Sequence, residues 1–398
     1  MKLLVLTSRF PYPIEKGDKL RIYHQIRTLS QNHKITLVSL SDHPVADSDL
    51  AEMQRWCEGV HVFRLRKGDI ALNMLKGLLT GKPMMVSYFY RPHILRKVQQ
   101  IASRVQPDHV LCQLVRMSEY AKAIDAPKTL DYMDNFSVGM ARRAKRSGWL
   151  TKWLFDRESQ LLAKYESDIF KVFDHATIIS AQDRDLMPLS DQDQIAVIPN
   201  GIDTHFFQPR PETTPSHELV FVGNMGYFPN IQAAKYLAEE VMPRIWEVHP
   251  EVKLLLAGAR PSSDVKALAR NPKIEVSGWI DDIRDAYSDG RVFVAPLFTG
   301  QGQQNKILEA MAMGIPCITS PMVNEAIGAT PGTEILLAAT PNAFVEGAFD
   351  LIAHPEKAQK IGAKGCEYIR THYSWEGAVQ SLESVMGIHS PATPEPQQ

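Results

Sequence analysis

The sequence predicts two α/β domains, each built on a parallel sheet. Short apolar, β-branched runs alternate with helical patterns along the whole chain. Several of these runs are apolar without a break, as expected of strands covered on both faces by helices. The alternation halts at a polar, Pro/Thr-rich stretch, PRPETTPSH (209–217), and then restarts. The stretch reads as a linker, and 398 residues suffice for two cores.

The elements follow in order. The opening MKLLVLTSRFPYP has a faint look of a signal peptide. Its apolar core is only LLVL and no small-residue cleavage site follows, so 2–8 is read as the first strand. A helix is expected from Asp18 to Ser30, with Asp18 as its N-cap. The runs 34–40, 60–66, 109–114, 129–134 and 175–180 continue as strands, and IAVIPNGID (195–203) closes this half with a Pro-Asn-Gly turn. The second half repeats the scheme with strands at 219–224, 253–259, 273–279, 291–297 and 316–320. A helix runs through 231–248, and another, WEGAVQSLESVM (375–386), precedes a polar Pro-containing tail. No repeat of solenoid length is present. Ligands of such sheets bind at the carboxyl ends of the strands, so the cleft between the domains is the expected site.

Composition narrows the class. Hydrophobic residues make up 44% and charged residues 22%, an ordinary globular balance. No apolar run reaches the roughly 20 residues of a spanning helix. The four cysteines, Cys57, Cys112, Cys317 and Cys366, are widely spaced and form no CxxC or zinc pattern. They fit packed, reduced thiols in a cytoplasmic protein, and no metal site is expected. The net charge of −1 hides an asymmetry. Residues 1–190 carry 29 Lys+Arg against 20 Asp+Glu, and the remainder carries 15 against 25. A basic front half suits an anionic partner such as a membrane surface or a phosphorylated substrate. Attraction between the two halves explains the same totals.

RVFVAPLFTGQGQQNKILEAMAMG (291–314) is the most informative segment. A buried strand ends near Pro296-Leu297, and Gly300 and Gly302 let the following loop approach a ligand closely. A helix begins near Gln304. Its free N–H groups and dipole attract an anion, and Lys306 adds a full charge. Glu309, one turn on, suits sugar hydroxyls, because a carboxylate accepts several hydrogen bonds. Phosphate and hydroxyls together describe a nucleotide. The competing reading is a surface i,i+3 Lys–Glu pair, worth about 0.2–0.5 kcal/mol.

Other segments carry charge next to strand ends. In PYPIEKGDKLR (11–21), Lys16, Lys19 and Arg21 can meet an acceptor phosphate, although Lys19 and Arg21 fit better as solvated helix charges. Asp131 and Asp134 in LDYMDNFS (130–137) suit a base or a hydroxyl binder. An N-cap and a turn residue is the slightly favoured alternative for them. ARRAKRSGWLTKWLFDR (141–157) gathers Arg142, Arg143, Lys145, Arg146 and Lys152 beside Trp149 and Trp153. This mixture suits an anionic membrane interface. A nucleic-acid patch has the same look, and a solvated helix face needs no partner at all. No GxGxxG follows either first strand, which argues against a plain dinucleotide dehydrogenase.

NKILEAMAMGIPCITS (305–320), VIPNGID (197–203) with Phe207 after it, and FVGNMGYFPN (221–230) together resemble family-four glycosyltransferases of the GT-B fold. PYPIEKGDKLRIYHQIRTL (11–29), LVRMSEY (114–120), LAGARPSSDVKALA (256–269) and HYSWE (372–376) sharpen the likeness. They make it similar to the sugar transferases of PEP-CTERM/exosortase exopolysaccharide systems. The resemblance implies two Rossmann-like domains facing each other across a cleft. Residues 1–205 would bind the acceptor and 206–374 the nucleotide-sugar donor. Residues 375–398 would form a helix packing back towards the N-terminal domain, then a frayed tail.

The implied reaction is retaining, metal-independent hexosyl transfer with no cofactor, the nucleotide-sugar being a substrate. The implied acceptor is a saccharide or a polyprenyl-diphosphate-linked saccharide, with peripheral contact to an anionic membrane at its cytoplasmic face and no nucleic acid. By the same resemblance Glu309 takes the second glutamate of the E-x7-E motif and the ribose, and Lys306 faces the diphosphate. Gln304, Asn305, Gly302 and Asn224 complete the donor set. Gln301 stands where the first glutamate, or in the narrower group an arginine, is usual. GNMGYFPN (223–230) lacks the family's arginine and lysine, so Arg260 is assigned with Lys306 to supply positive charge. Gly17, Lys16 and Asp18 form the acceptor or diphosphate loop. Arg116 stands where many relatives place a histidine that meets the transferred sugar, and it joins Lys306 as a catalytic candidate. A nucleotide-sugar epimerase on the same fold, or a non-catalytic nucleotide-sugar-binding partner of another transferase, are the alternatives.

Overall fold

The computed structural model describes residues 1–388 apart from positions 146, 211 and 300–302. The chain divides into two compact units, Met1–Asn200 with the segment from Ala378 onward, and Gly201–Gly377.

The first unit holds a seven-stranded sheet. Its strands are β1 (Lys2–Thr7), β2 (Lys34–Ser41), β3 (Gly59–Arg64), β4 (His109–Gln113), β5 (Lys128–Asp131), β6 (His175–Ile178) and β7 (Ile195–Val197). They lie in the order β3-β2-β1-β4-β5-β6-β7 and every pairing is parallel. Successive side chains of a strand point to opposite faces, so a sheet covered on both sides needs apolar residues at every position. β1 shows this directly. Leu4 and Leu6 enter a core with Val38, Val110 and Leu130, whereas Leu3 and Val5 enter another with Ile22, Ile26 and Leu37. Val379, Leu382 and Met386 complete that second core, and His33 Nε2 lies 2.7 Å from Glu383 Oε1.

The second unit holds a six-stranded sheet of β8 (His217–Val222), β9 (Leu254–Ala257), β10 (Ile274–Gly278), β11 (Gly290–Ala295), β12 (Cys317–Thr319) and β13 (Leu336–Leu337). The order is β10-β9-β8-β11-β12-β13, again all parallel. A Cβ at Gly258, whose φ is +133°, would collide with the carbonyl oxygen of Gly223. Glycine there lets the loops after β8 and β9 close on each other. The chain enters and leaves this unit side by side, with Ile202 N–H donating to Tyr373 O at 2.6 Å.

Several expectations are corrected. The stretch 209–217 is not a free linker, because Arg210 binds Asp282 at 2.8 Å and Asp285 at 2.6 Å within the second unit. Asp18 is not an N-cap. The helix spans Gly17–Leu29, Lys16 precedes it without a side-chain cap, and Asp18 sits in the first turn paired with Arg9 at 2.8 Å. The expected strand at 129–134 ends at Asp131. The helix expected at 231–248 is broken into Phe228–Tyr236, a wider π turn at Leu237–Val241, and Met242–Val248. Pro243, which has no N–H, explains the interruption.

The connection from β3 to β4 carries the helices Lys67–Thr80, Met84–Phe89 and Pro92–Val105. Among the described residues no helix is long and apolar enough to cross a membrane. All four cysteines are buried and unpaired.

Candidate functional site

In a doubly wound sheet the strand order reverses beside the first strand, and the two loops leaving there diverge to open a crevice. In the second unit the reversal lies between β8 and β11. The loop after β8 begins with Gly223 and Asn224, and the loop after β11 leads into the helix Asn305–Ala312. Asn224 is exposed, but its side chain serves the loop: Oδ1 accepts from Gly226 N–H at 3.0 Å. Its carbonyl accepts from Asn230 Nδ2 at 3.0 Å. Arg260, beyond β9, is exposed and takes a left-handed φ of 56°. Gln301 and Gly302 lie outside the described residues.

The helix Asn305–Ala312 buries Ile307, Leu308, Ala310, Met311 and Ala312. This anchors its first turn, and Gln304 at the N-cap makes no side-chain cap. Ile307 N–H donates to Gln304 O at 3.0 Å, and the dipole of the helix start favours an anion beyond it. Lys306 is half-buried and donates from Nζ to Gln304 Oε1 at 2.9 Å. Burial lowers its pKa to about 8, and Glu309 opposes that shift. Glu309 is also withdrawn from solvent. Tyr287 Oη donates to its Oε2 at 2.7 Å. Burial raises the Glu309 pKa against the opposing influence of Tyr287 and Lys306.

The two charges are thus not a solvated surface pair, and among the described residues no ion pair joins them directly. One glutamate oxygen is committed to Tyr287, which is fully buried beside Phe207 and Phe293. Sequence reasoning missed Tyr287, 22 residues from Glu309 and without a local motif.

The first unit has its own reversal, between β1 and β4. Gly17 and Lys16 stand exposed at the end of the loop after β1, and a Cβ placed on Gly17 would meet nothing within 4 Å beyond its chain neighbours and its own helix backbone. Arg116 lies in the short 3-10 turn Val115–Met117 after β4. Its guanidinium stacks 4.7 Å from the Phe136 ring centroid and 5.4 Å from that of Phe89. Its buried Nε has no partner among the described residues. Burial, with help from Arg9, lowers its pKa to about 10.

Arg21 and Asp131 correct the sequence reading. Arg21 is fully buried, and its Nε meets Asp131 Oδ2 at 2.6 Å while Nη1 donates to Asn200 Oδ1 at 2.9 Å. Arg21 is no solvated helix charge, and Asp131 is no free base. Arg21 shares a helix face with Gln25 and lies beside Ile22, Ile26 and Leu29, all buried. That face was the available signal. Asp134 stays accessible, and desolvation followed by repulsion from Asp183 and Asp131 raises its pKa to about 6.

Elsewhere in this unit Trp149 and Trp153 are 82% and 64% exposed, as are Leu72, Leu75 and Leu79 on the helix Lys67–Thr80. Arg143, Lys145 and Lys152 are exposed near the tryptophans, and Arg146 lies outside the described residues.

Residues 216–354, most of the second unit, match the family model described as glycosyl transferases group 1. Both units together match solved GT-B glycosyltransferases, and this likeness establishes the fold. One such structure is the sucrose-phosphate synthase of Thermosynechococcus elongatus, with a TM-score of 0.67 and 15% identity over 97% of this chain and 98% of that one. Another is HepE of Anabaena in complex with UDP, with a TM-score of 0.68 and 13% identity over 97% of this chain and 100% of that one. A relative of similar length, described as an uncharacterized 44.6 kDa protein in the cps region of Klebsiella pneumoniae, is 22% identical over 96% of this chain and 98% of its own.

Proposed function

We propose that the protein is a retaining, metal-independent hexosyltransferase that moves a sugar from a nucleotide-sugar to a saccharide or lipid-linked saccharide in exopolysaccharide biosynthesis. The observation that carries this reading is the pairing of Lys306 and Glu309 on the first turns of the helix that follows the switch-point strand β11. Both lie inside the region that matches glycosyl transferases group 1. The donor diphosphate sits at the helix start, where the N–H groups and the Lys306 ammonium stabilise the charge that grows as the sugar leaves. Glu309, held by Tyr287, offers its other oxygen to the ribose hydroxyls. Gln304 and Asn305 frame the diphosphate, with Asn224 and Arg260 on the facing loops.

HepE has been solved with UDP and with UDP-glucose, which supports a uridine nucleotide as the first donor class to try. The cps-region relative and the PEP-CTERM-like motifs support the exopolysaccharide assignment. The first unit takes the acceptor at Lys16, Gly17, Asp18 and Arg116.

A thermal-shift series with UDP-, GDP- and dTDP-sugars tests the reading, since a ligand raises stability by mass action. One donor class should stand out, and Lys306→Ala should lower transfer roughly 100- to 1000-fold with the fold intact. No shift with any nucleotide-sugar overturns the proposal. Transfer at the wild-type rate in Lys306→Ala removes that lysine from the mechanism. Conversion of the nucleotide-sugar into an epimeric nucleotide-sugar without an acceptor points instead to the epimerase, and binding without turnover to the non-catalytic partner.

The exposed Trp149, Trp153, Leu72, Leu75 and Leu79, flanked by Lys76, Arg143, Lys145 and Lys152, support peripheral docking on an anionic bilayer. Co-flotation with phosphatidylcholine vesicles should require added phosphatidylglycerol and should fall in Trp149→Ser/Trp153→Ser. Equal flotation of the variant removes this contact.

A further inference from the structure

A recess of about 350 Å³ opens in the first unit beside its switch point. Arg9, just after β1, and Arg116, just after β4, supply one wall. Met74, Met84, Met85, Met140 and Phe155 supply another. Two acids, Asp42 and Glu158, also border it, and their hydrogen bonds come from neutral groups. Asp42 accepts from Tyr88 Oη at 3.2 Å, and Glu158 accepts from the backbone N–H groups of Met84 and Met85 at 2.9 and 2.8 Å.

The arginines have acids of their own nearby, since Asp18 and Asp134 both lie close enough to favour the charged form of Arg116. Arg9 has one carboxylate partner, Asp18. Arg116 sits between aromatic rings with its Nε buried and unpartnered among the described residues. Arg9 is close enough to Arg116 to disfavour its charged form. Two neighbouring guanidiniums with spare donors make a receptor for an oxyanion, since each presents a planar fork matched to phosphate.

The methionine lining asks for something else. Methionine is unbranched and polarisable, so a group of methionines adapts to a flexible apolar chain better than a rigid aliphatic surface does. The same helices carry the apolar character outward. Met74 shares its helix with the exposed Leu72, Leu75 and Leu79, and Phe155 shares its helix with the exposed Trp149 and Trp153. A ligand that satisfies both walls is an amphiphilic anion.

We propose that this recess binds a phosphorylated lipid, with the phosphate or diphosphate ester held by Arg9 and Arg116 and the first segment of the apolar chain laid against the methionine wall. The binding claim stands on the recess alone. Its role as the site of a lipid-linked acceptor rests on the glycosyl-transfer reading. Arg116 is then an acceptor-binding residue that acts on the phosphate end of the lipid.

Calorimetry on the full chain tests this with four probes: farnesyl diphosphate, inorganic pyrophosphate, farnesol, and dihexanoyl phosphatidylglycerol below its micellar concentration. Farnesyl diphosphate should bind at least tenfold more tightly than each of the others. Arg116→Gln should weaken it at least tenfold, and Arg116→Lys should restore part of the loss. Met140→Gln, which alters the methionine lining, should weaken farnesyl diphosphate while leaving pyrophosphate unchanged. The proposal is overturned if pyrophosphate binds as tightly as farnesyl diphosphate, or if Arg116→Gln and Met140→Gln both bind it like the wild type. Equal affinity for the phosphatidylglycerol overturns the acceptor assignment and leaves a site for bulk membrane lipid. Binding of farnesyl diphosphate by a protein whose melting no nucleotide-sugar shifts supports the recess and removes the transferase reading.

Discussion

The two units share a strand order around their switch points and solve the same structural problem with different chemistry. β5 in the first unit and β12 in the second occupy the same place in their sheets, one strand beyond the reversal. At the end of β5 the chain uses a buried charge pair, Arg21 with Asp131, both side chains fully excluded from solvent. At the end of β12 it uses neutral hydroxyls. Thr319 Oγ1 donates to Ala295 O at 2.9 Å, and Ser320 Oγ donates to Leu297 O. The fold sets where a crevice forms. Side chains decide whether the floor behind it is ionic or neutral, and therefore how sensitive each unit is to the loss of one group.

The comparison breaks most visibly on deletion of one partner in each unit. Asp131→Ala leaves the Arg21 guanidinium buried without its carboxylate, and removal of one partner from a buried pair costs about 3–5 kcal/mol. Thr319→Val removes a neutral hydrogen bond with little change in shape and costs about 0.5–1.5 kcal/mol. Urea denaturation of the two variants should show a large fall in midpoint for the first and a small one for the second. Equal falls would mean that the ionic floor is no more demanding than the neutral one. Asp131→Asn, which keeps an acceptor for Arg21, should lie between them.

The same contrast explains what was legible in the sequence. Strands buried on both faces announce themselves, because each needs an unbroken apolar run, and β1, β8 and β11 fall within a residue or two of their expected bounds. Lys306 and Glu309 were legible because their spacing on one helix and its strand–loop entry are local features. β13 was not, since two half-buried leucines carry no periodicity. Arg21 with Asp131, 110 residues apart, was read as two separate polar positions. A buried ion pair looks, on each strand or helix taken alone, like two solvated charges. The Arg9–Arg116 recess was illegible for the same reason, as its methionines come from three separate helices.

A subtler difference separates the cations that face the two crevices. Arg116 keeps its charge across the working range, because even a pKa of about 10 lies well above neutrality. Lys306 does not, since burial brings it to about 8. A diphosphate binds the protonated form, so binding above pH 8 requires proton uptake by Lys306. Affinity for UDP should therefore be nearly flat in this group's contribution below pH 8. It should then decline by up to tenfold per pH unit above, about 1.4 kcal/mol for each unit.

The stability of the free protein should move the other way. The folded pKa of Lys306 is depressed, so between about pH 8 and the unfolded value of 10.5 the unfolded chain binds more protons. This group's contribution to stability consequently rises with pH across that window. Calorimetry of UDP binding from pH 7 to 9.5, in buffers of different ionisation enthalpy, reads the proton uptake directly. Lys306→Met should bind more weakly at pH 7 and lose the slope above pH 8. A slope of the same size in both proteins would mean that the diphosphate is not held by Lys306, and the donor grip would then have to be sought at Arg260 or the helix start alone.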